Sequence, residues 1–268
     1  MQGLLIDLDG VVWQNDNVVP GAPETLTWCK EQGIPHLFIT NTTSQPRRLI
    51  AAKLARLGME ISADAILTPP VAACNWLAKN NPGPAVLFVP AATKEDFTTV
   101  KQYDAAMGNA ASVIIGDIGD EWTYHNLNQA FRLLMGEPAP VLIALGMTRY
   151  WRAADGLRLD VTPFVTALEH AAGCKTVVLG KPSAAFFGVA LTTIGCKPDE
   201  TVMIGDDIIG DIDGAQQVGM FGILVRTGKF RKQDLEGTIK PDTVLDSIAA
   251  LPSWWSKTRN VVHSHETT

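Results

Sequence analysis

Leu4-Leu5-Ile6-Asp7-Leu8-Asp9-Gly10 stands almost at the start of the 268-residue chain. Its leading apolar run predicts a short strand buried on both faces. Two carboxylates follow, Asp7 and Asp9, separated by one residue. Side chains two apart on an extended chain share a face, so both acids are expected to emerge together where the strand ends. Gly10 then permits a sharp turn. Paired negative charges at a buried strand end repel, and each resists desolvation unless a cation or a shared proton relieves it. The competing reading is an exposed strand end carrying two solvated aspartates.

The same grammar of buried strand followed by polar strand end recurs downstream. His36-Leu37-Phe38-Ile39 runs into Thr40-Asn41-Thr42-Thr43-Ser44, four hydroxyls and an amide ahead of a helix. Backbone N–H groups and a helix dipole make such a turn suited to an anion. Ordinary capping explains part of it equally well, with Ser44 as N-cap before Pro46 and the stripe Ile50, Leu54, Leu57. Thr176 to Leu179 predicts another strand, leading into Gly180-Lys181-Pro182-Ser183. A lysine faces an unfavourable dipole at a helix start, which an anionic ligand would reverse. A lone solvated lysine is the bland alternative. Thr201 to Gly205 then ends in Asp206-Asp207, with Asp211 soon after. Oxygen-only ligands at strand ends suit magnesium, and helix capping by Asp206 or Asp207 is the competing reading. Trp13, in the turn after Gly10, could cover the site or fill core, and core filling is the safer reading of a lone tryptophan.

Strand and helix patterns alternate over the first stretch, which predicts an α/β fold on a doubly wound parallel sheet. Asn80-Asn81-Pro82-Gly83-Pro84 punctuates the chain and marks an expected boundary. Residues 1–82 plus 176–268 are expected to form this core, with 83–175 as an inserted α/β unit. Within the insert, Arg149-Tyr150-Trp151-Arg152 is expected on a loop, as a contact for an anionic substrate or as a solvated turn. The tail from Asn260 carries no pattern and is expected to fray.

Hydrophobic residues make up 46% of the chain and charged residues 19%, with a net charge of −6. No basic excess exists to neutralise phosphates, which argues against a nucleic-acid or anionic-membrane surface. No apolar run approaches the length of a membrane span. Met1-Gln2-Gly3 enters a strand at once without a leader-like stretch, and Cys29, Cys74, Cys174 and Cys196 form no C-x-x-C pair. Buried thiols in a reducing cytoplasm are the expectation.

The order D-x-D-G, a strand ending in Thr-Asn, G-K-P-S, and a strand ending in G-D-D-x-x-x-D resembles the haloacid dehalogenase superfamily. The size and place of the insertion are similar to the α/β cap of its NagD-like phosphatases. Asn126 to Arg132 and Val218 to Gly222 resemble the phospholysine/phosphohistidine/inorganic pyrophosphate phosphatase branch. The resemblance implies Asp7 as nucleophile and Asp9 as acid and then base, through an aspartyl-phosphate. It implies Mg²⁺ held by Asp7, Asp206 and the carbonyl of Asp9, with Asp207 and Asp211 orienting its waters. Thr40, Asn41 and Lys181 would hold the phosphate oxygens. It further implies a small phosphorylated substrate (phosphomonoester, phosphoramidate or pyrophosphate) and a homodimer. Two other readings compete: a phospho-accepting signalling module of the receiver type, and a phosphomutase. A receiver carries its acidic pair and acceptor aspartate on separate strands and lacks the insert.

Overall fold

The computed structural model describes residues 1–153 and 155–265. They fall into two compact units. Met1–Thr40, Ala51–Leu67 and the chain from Ala190 onward form the first, and Asn41–Ile50 with Thr68–Val189 form the second. The first unit opens with β1 (Gly3–Asp7), a small hairpin of β2 (Trp13–Gln14) and β3 (Asn17–Val18), α1 (Ala22–Glu31) and β4 (His36–Ile39). α2 (Arg47–Arg56) begins in the second unit and ends in the first, where β5 (Ile66–Leu67) follows. The second unit continues with α3 (Pro69–Asn80), β6 (Ala85–Phe88), β7 (Ser112–Ile115), α4 (Tyr124–Leu134) and β8 (Val141–Ala144). Next come β9 (Tyr150–Ala153), β10 (Gly156–Leu159), α5 (Val161–Ala172) and β11 (Thr176–Val178). α6 (Ala184–Ile194) leads back to the first unit and β12 (Thr201–Gly205). A π-helical turn (Ile208–Asp213), α7 (Gly214–Gln217), β13 (Phe221–Val225), β14 (Thr243–Leu245) and α8 (Leu251–His265) close the chain order.

Six parallel strands form the first sheet, in the order β14-β13-β12-β1-β4-β5. Successive strands leave β1 in one direction through β4 and β5, and in the other through β12 to β14. The winding therefore reverses at β1, and ligand sites of such sheets lie at the carboxyl ends of strands beside that reversal. Every residue of β1 and of β12 is buried, as near-continuous apolar runs require. Leu4, Leu5 and Ile6 are fully enclosed, each side chain contributing roughly 2 kcal/mol.

The second unit holds a four-stranded parallel sheet, β11-β8-β7-β6. Val113, Ile115 and Leu142 of its strands pack with Val165 and Leu168 of α5. Trp122 stacks between Phe88 at 5.8 Å and Phe164 at 4.9 Å.

Several local expectations are corrected. The strand at Thr176 pairs with β8, Thr176 beside Leu142, and so belongs to the second sheet and not the first. Thr-Val-Val fits either sheet by itself, and the choice is made by a distant partner. The second unit accordingly begins earlier than residue 83 and runs past 175, and it includes Asn41–Ile50. α2 begins at Arg47 rather than after Ser44, because its first N–H is met from outside: Arg47 N donates to Asp96 Oδ2 at 3.1 Å. The apolar pattern predicts this helix over Pro163 to Ala172, and α5 begins two residues earlier, at Val161, with Asp160 accepting from Val161 N at 2.6 Å. Pro163 falls in its first turn, where no intrahelical N–H is lost. Tyr150 to Arg152 lie on a strand of an antiparallel pair, not a loop, with Tyr150 opposite Leu159. The chain expected to fray from Asn260 is helical to His265, and its last three residues lie outside the described residues. No helix among the described residues is long and apolar enough to cross a membrane.

Candidate active site

β1 ends in Asp7, and Asp206 directly follows β12, its parallel neighbour. Asp211 enters from the π-helical turn. The three residues are 5%, 1% and 0% exposed, and each offers a carboxylate oxygen within 4.8 Å of the others. Three carboxylates cannot share so dry a space in charged form without a compensating cation. Hard oxygen donors of this kind suit Mg²⁺, so the residues fit the metal that the motif order implies. Asp211 lies closer in than expected: it is a member of the cluster itself.

Two glycines let the backbone close around Asp206. Gly10 (φ 83°) and Gly228 (φ 63°) both press on its carboxylate, and a Cβ at either would overlap it. Lys229 N donates to Asp206 Oδ2 at 2.6 Å. Asp207 lies outside the cluster and caps the turn, accepting from Ile209 N and Gly210 N at 3.0 and 2.9 Å. Its other oxygen meets Lys229 Nζ at 3.1 Å. Burial works to raise the Asp207 carboxyl, but the Gly210 hydrogen bond and the Lys229 charge outweigh it and hold it below the usual range. Burial likewise opposes the Lys229 ammonium, which Asp207, Asp206 and Asp211 together hold above its ordinary value. Its side chain is 69% exposed, so water screens the pair and its worth to stability is small.

Asp9 is not a member of the cluster. Its Oδ1 accepts from Trp13 Nε1 at 2.6 Å. Trp13 is buried at 3% exposure, and on its ring sits Lys53 Nζ, 4.7 Å from the centroid. Thr40 follows β4, whose Ile39 lies beside Asp7, and is buried with its N–H on Leu67 O at 3.2 Å.

The remaining expected residues belong to the second unit. Asn41 clamps the backbone of Lys181 from both sides: Nδ2 donates to Lys181 O at 3.0 Å, and Lys181 N donates to Oδ1 at 2.7 Å. Lys181 is buried. Asn41 also lines a cleft with Thr43, Asp117, Thr148 and Asp160. Burial raises the Asp160 carboxyl, the Val161 N–H opposes this, and the Asp117 charge adds to the rise. The four cysteines are free thiols. Burial pushes Cys29 to about 12 and Cys74 to about 11, so neither is a thiolate nucleophile at neutral pH.

Of the expected residues, the structure therefore gathers Asp7 and Asp206 with Asp211, ties Asn41 to Lys181, and turns Asp9 toward Trp13. Sequence reasoning missed Lys229 and the Asp117–Asp160 cleft, which no local motif signals. Trp13, read as core, is core and hydrogen-bond donor at once.

Residues 4–104 match the family model for haloacid dehalogenase-like hydrolases, and residues 178–251 match a second, HAD-hydrolase-like model. The chain is 38% identical over 254 residues to the human phospholysine phosphohistidine inorganic pyrophosphate phosphatase, covering 93% of this chain and 92% of that one. It is 43% identical over 236 residues to haloacid dehalogenase-like hydrolase domain-containing protein 2 of Rattus norvegicus, covering 88% of each. Among solved structures, a 4-nitrophenylphosphatase from Thermotoga maritima aligns with a TM-score of 0.81 at 25% identity, covering 94% of this chain and 96% of that one. NagD from E. coli shares the fold, with a TM-score of 0.81 at 23% identity over 93% of this chain and 97% of that one.

Proposed function

The chain belongs to the haloacid dehalogenase-like hydrolases and is a phosphohydrolase, and from that premise we propose an Mg²⁺-dependent phosphatase working through an aspartyl-phosphate on Asp7. The observation that carries this reading is the buried cluster of Asp7, Asp206 and Asp211 at the carboxyl ends of β1 and β12. A bound Mg²⁺ would be held by Asp7, Asp206 and Asp211, with the carbonyl of Asp9, and would offset the charge of the carboxylates and of the phosphate.

In the first step the Asp7 carboxylate attacks phosphorus, and the bond to the leaving atom (oxygen in an ester or pyrophosphate, nitrogen in a phosphoramidate) breaks as that atom takes a proton from Asp9. In the second, Asp9 takes a proton from water, which attacks phosphorus and returns Asp7 and inorganic phosphate. Thr40, Asn41 and Lys181 hold the non-bridging oxygens, and the Asn41 clamp fixes the backbone from which Lys181 reaches. The substrate is a small phosphomonoester, phosphoramidate or pyrophosphate. Family membership sets aside a receiver-type module. The free thiols suit a cytoplasmic location, and a homodimer completes the reading.

Hydrolysis of p-nitrophenyl phosphate by wild type and Asp7→Asn, each with Mg²⁺ and with EDTA, tests it. Turnover is expected only from wild type with Mg²⁺. Substantial activity in Asp7→Asn would sink the covalent mechanism, since the two side chains are nearly isosteric.

A further inference from the structure

Asp9 stands at the exposed edge of a buried site, on a turn that would leave an aspartate side chain several rotamers. The chain removes that freedom locally. After β1 the backbone winds back on itself: the N–H groups of Val11, Val12 and Trp13 all converge on Leu8 O, and Gly10 N donates to Trp13 O at 2.6 Å. This winding carries Trp13 over Asp9, and its Nε1 meets Asp9 Oδ1 at 2.6 Å. An indole N–H only donates, and here it has a single carboxylate oxygen to serve. Asp9 Oδ2 makes no hydrogen bond among the described residues.

The indole is itself immobilised. It is almost fully buried, and Lys53 Nζ covers its face at 4.7 Å while donating to Asn15 O at 2.8 Å. Asn15 has the left-handed φ of 56° at the tip of the β2–β3 hairpin. Lys53 thus pins the hairpin tip and the ring together. Core packing alone would explain a buried tryptophan, but it does not require the N–H to end on the one carboxylate assigned to proton transfer.

We propose that Trp13 is the positioning residue for Asp9: its indole N–H fixes one carboxylate oxygen, so that the other faces the leaving group and then the attacking water. This rests on the acid–base role assigned to Asp9 above. Protonation of the leaving oxygen matters most when that oxygen is a poor leaving group, so misplacing the acid penalises alkyl esters more than nitrophenyl esters.

The test compares kcat/KM for p-nitrophenyl phosphate and glycerol phosphate in wild type, Trp13→Phe, Lys53→Met and Asp9→Asn. Trp13→Phe keeps most of the packed volume and removes the donor. Its activity on the alkyl ester is expected to fall about a hundredfold, against a few-fold on the nitrophenyl ester, with the Mg²⁺ dependence unchanged. Lys53→Met is expected to show the same selectivity in weaker form, and it carries the test if Trp13→Phe does not fold. An equal loss on both esters, or no loss on either, overturns the proposal and leaves a packing role. If Asp9→Asn also leaves the ratio of the two esters unchanged, the acid–base reading of Asp9 falls with it. If Asp9→Asn shifts that ratio and Trp13→Phe does not, only the positioning role falls.

Discussion

Gly10 shows how much one residue can decide here. Its φ of 83° already disfavours a side chain, and a Cβ would strike the Asp206 carboxylate and approach Gly228 Cα at 2.9 Å. Gly33 has a similar φ of 62°, but a Cβ there would meet nothing within 4 Å. Gly33→Ala should therefore lose only about 1 kcal/mol for the left-handed backbone. Gly10→Ala adds an overlap in a site that cannot relax, and its loss should be roughly 2–4 kcal/mol. Urea unfolding of both variants checks the difference, and equal losses would mean that Asp206 yields freely. Asp7 and Asp206 were legible because an acid directly after a buried apolar run has few purely structural reasons to be there. Asp211 was legible only as an acid nearby. What brings it inward is the π-helical turn at Ile208–Asp213, whose spacing departs from the ordinary helical period on which a sequence reading relies.

α2 shows the same limit for an element. Ser44 and Pro46 read as a local helix start, yet the first N–H of α2 is satisfied by Asp96, 49 residues away in sequence. A cap supplied across such a distance leaves no trace in the local pattern. Its neighbour Arg48 pairs with Glu95 at 3.1 Å, but the two side chains are 66% and 43% exposed. The Asp96 side chain is 5% exposed. Asp96→Ala should then destabilise by about 1–2 kcal/mol, and Arg48→Ala by less than about 0.5 kcal/mol. Equivalent urea midpoints for the two would refute the capping assignment. Burial raises the Asp96 carboxyl, with the Arg47 N–H and charge opposing it, and the net shift is upward. The folded state thus binds this proton more tightly than the unfolded state does. Its contribution to stability is full below the ordinary aspartate range and is lost as pH rises through the folded value. Asp96→Asn removes that dependence, so wild type should gain on the variant as pH falls from neutrality toward the aspartate range. A constant difference between them across that window would contradict the upward shift.

At the scale of the whole molecule, the first sheet was legible because each of its chemistry-bearing strands ends in polar residues, and parallel strands put those ends on one side. The extent of the second unit was not, since β11 could have paired in either sheet and a contact between Asn41 and Lys181 spans 140 residues. The arrangement that results places three carboxylates where folding must bring them together in a dry space. On the reading proposed above, that convergence opposes the folded state without metal, and with metal it would become a source of stability, because Mg²⁺ would bind the assembled cluster and not the unfolded chain. Replacing one member should consequently change sign with conditions. Asp211→Asn keeps an oxygen that can accept from Asp207 N, which now donates to Asp211 Oδ2 at 3.1 Å, while removing one charge. In EDTA the variant should melt above wild type. In Mg²⁺ at about a hundred times the dissociation constant, wild type should gain on the order of 5 °C and overtake the variant, which binds the ion more weakly. Thermal melts of both proteins in both conditions decide the matter. If Asp211→Asn is the less stable protein with and without the ion, hydrogen bonding and not charge repulsion governs the cluster, and the predicted change of sign is wrong.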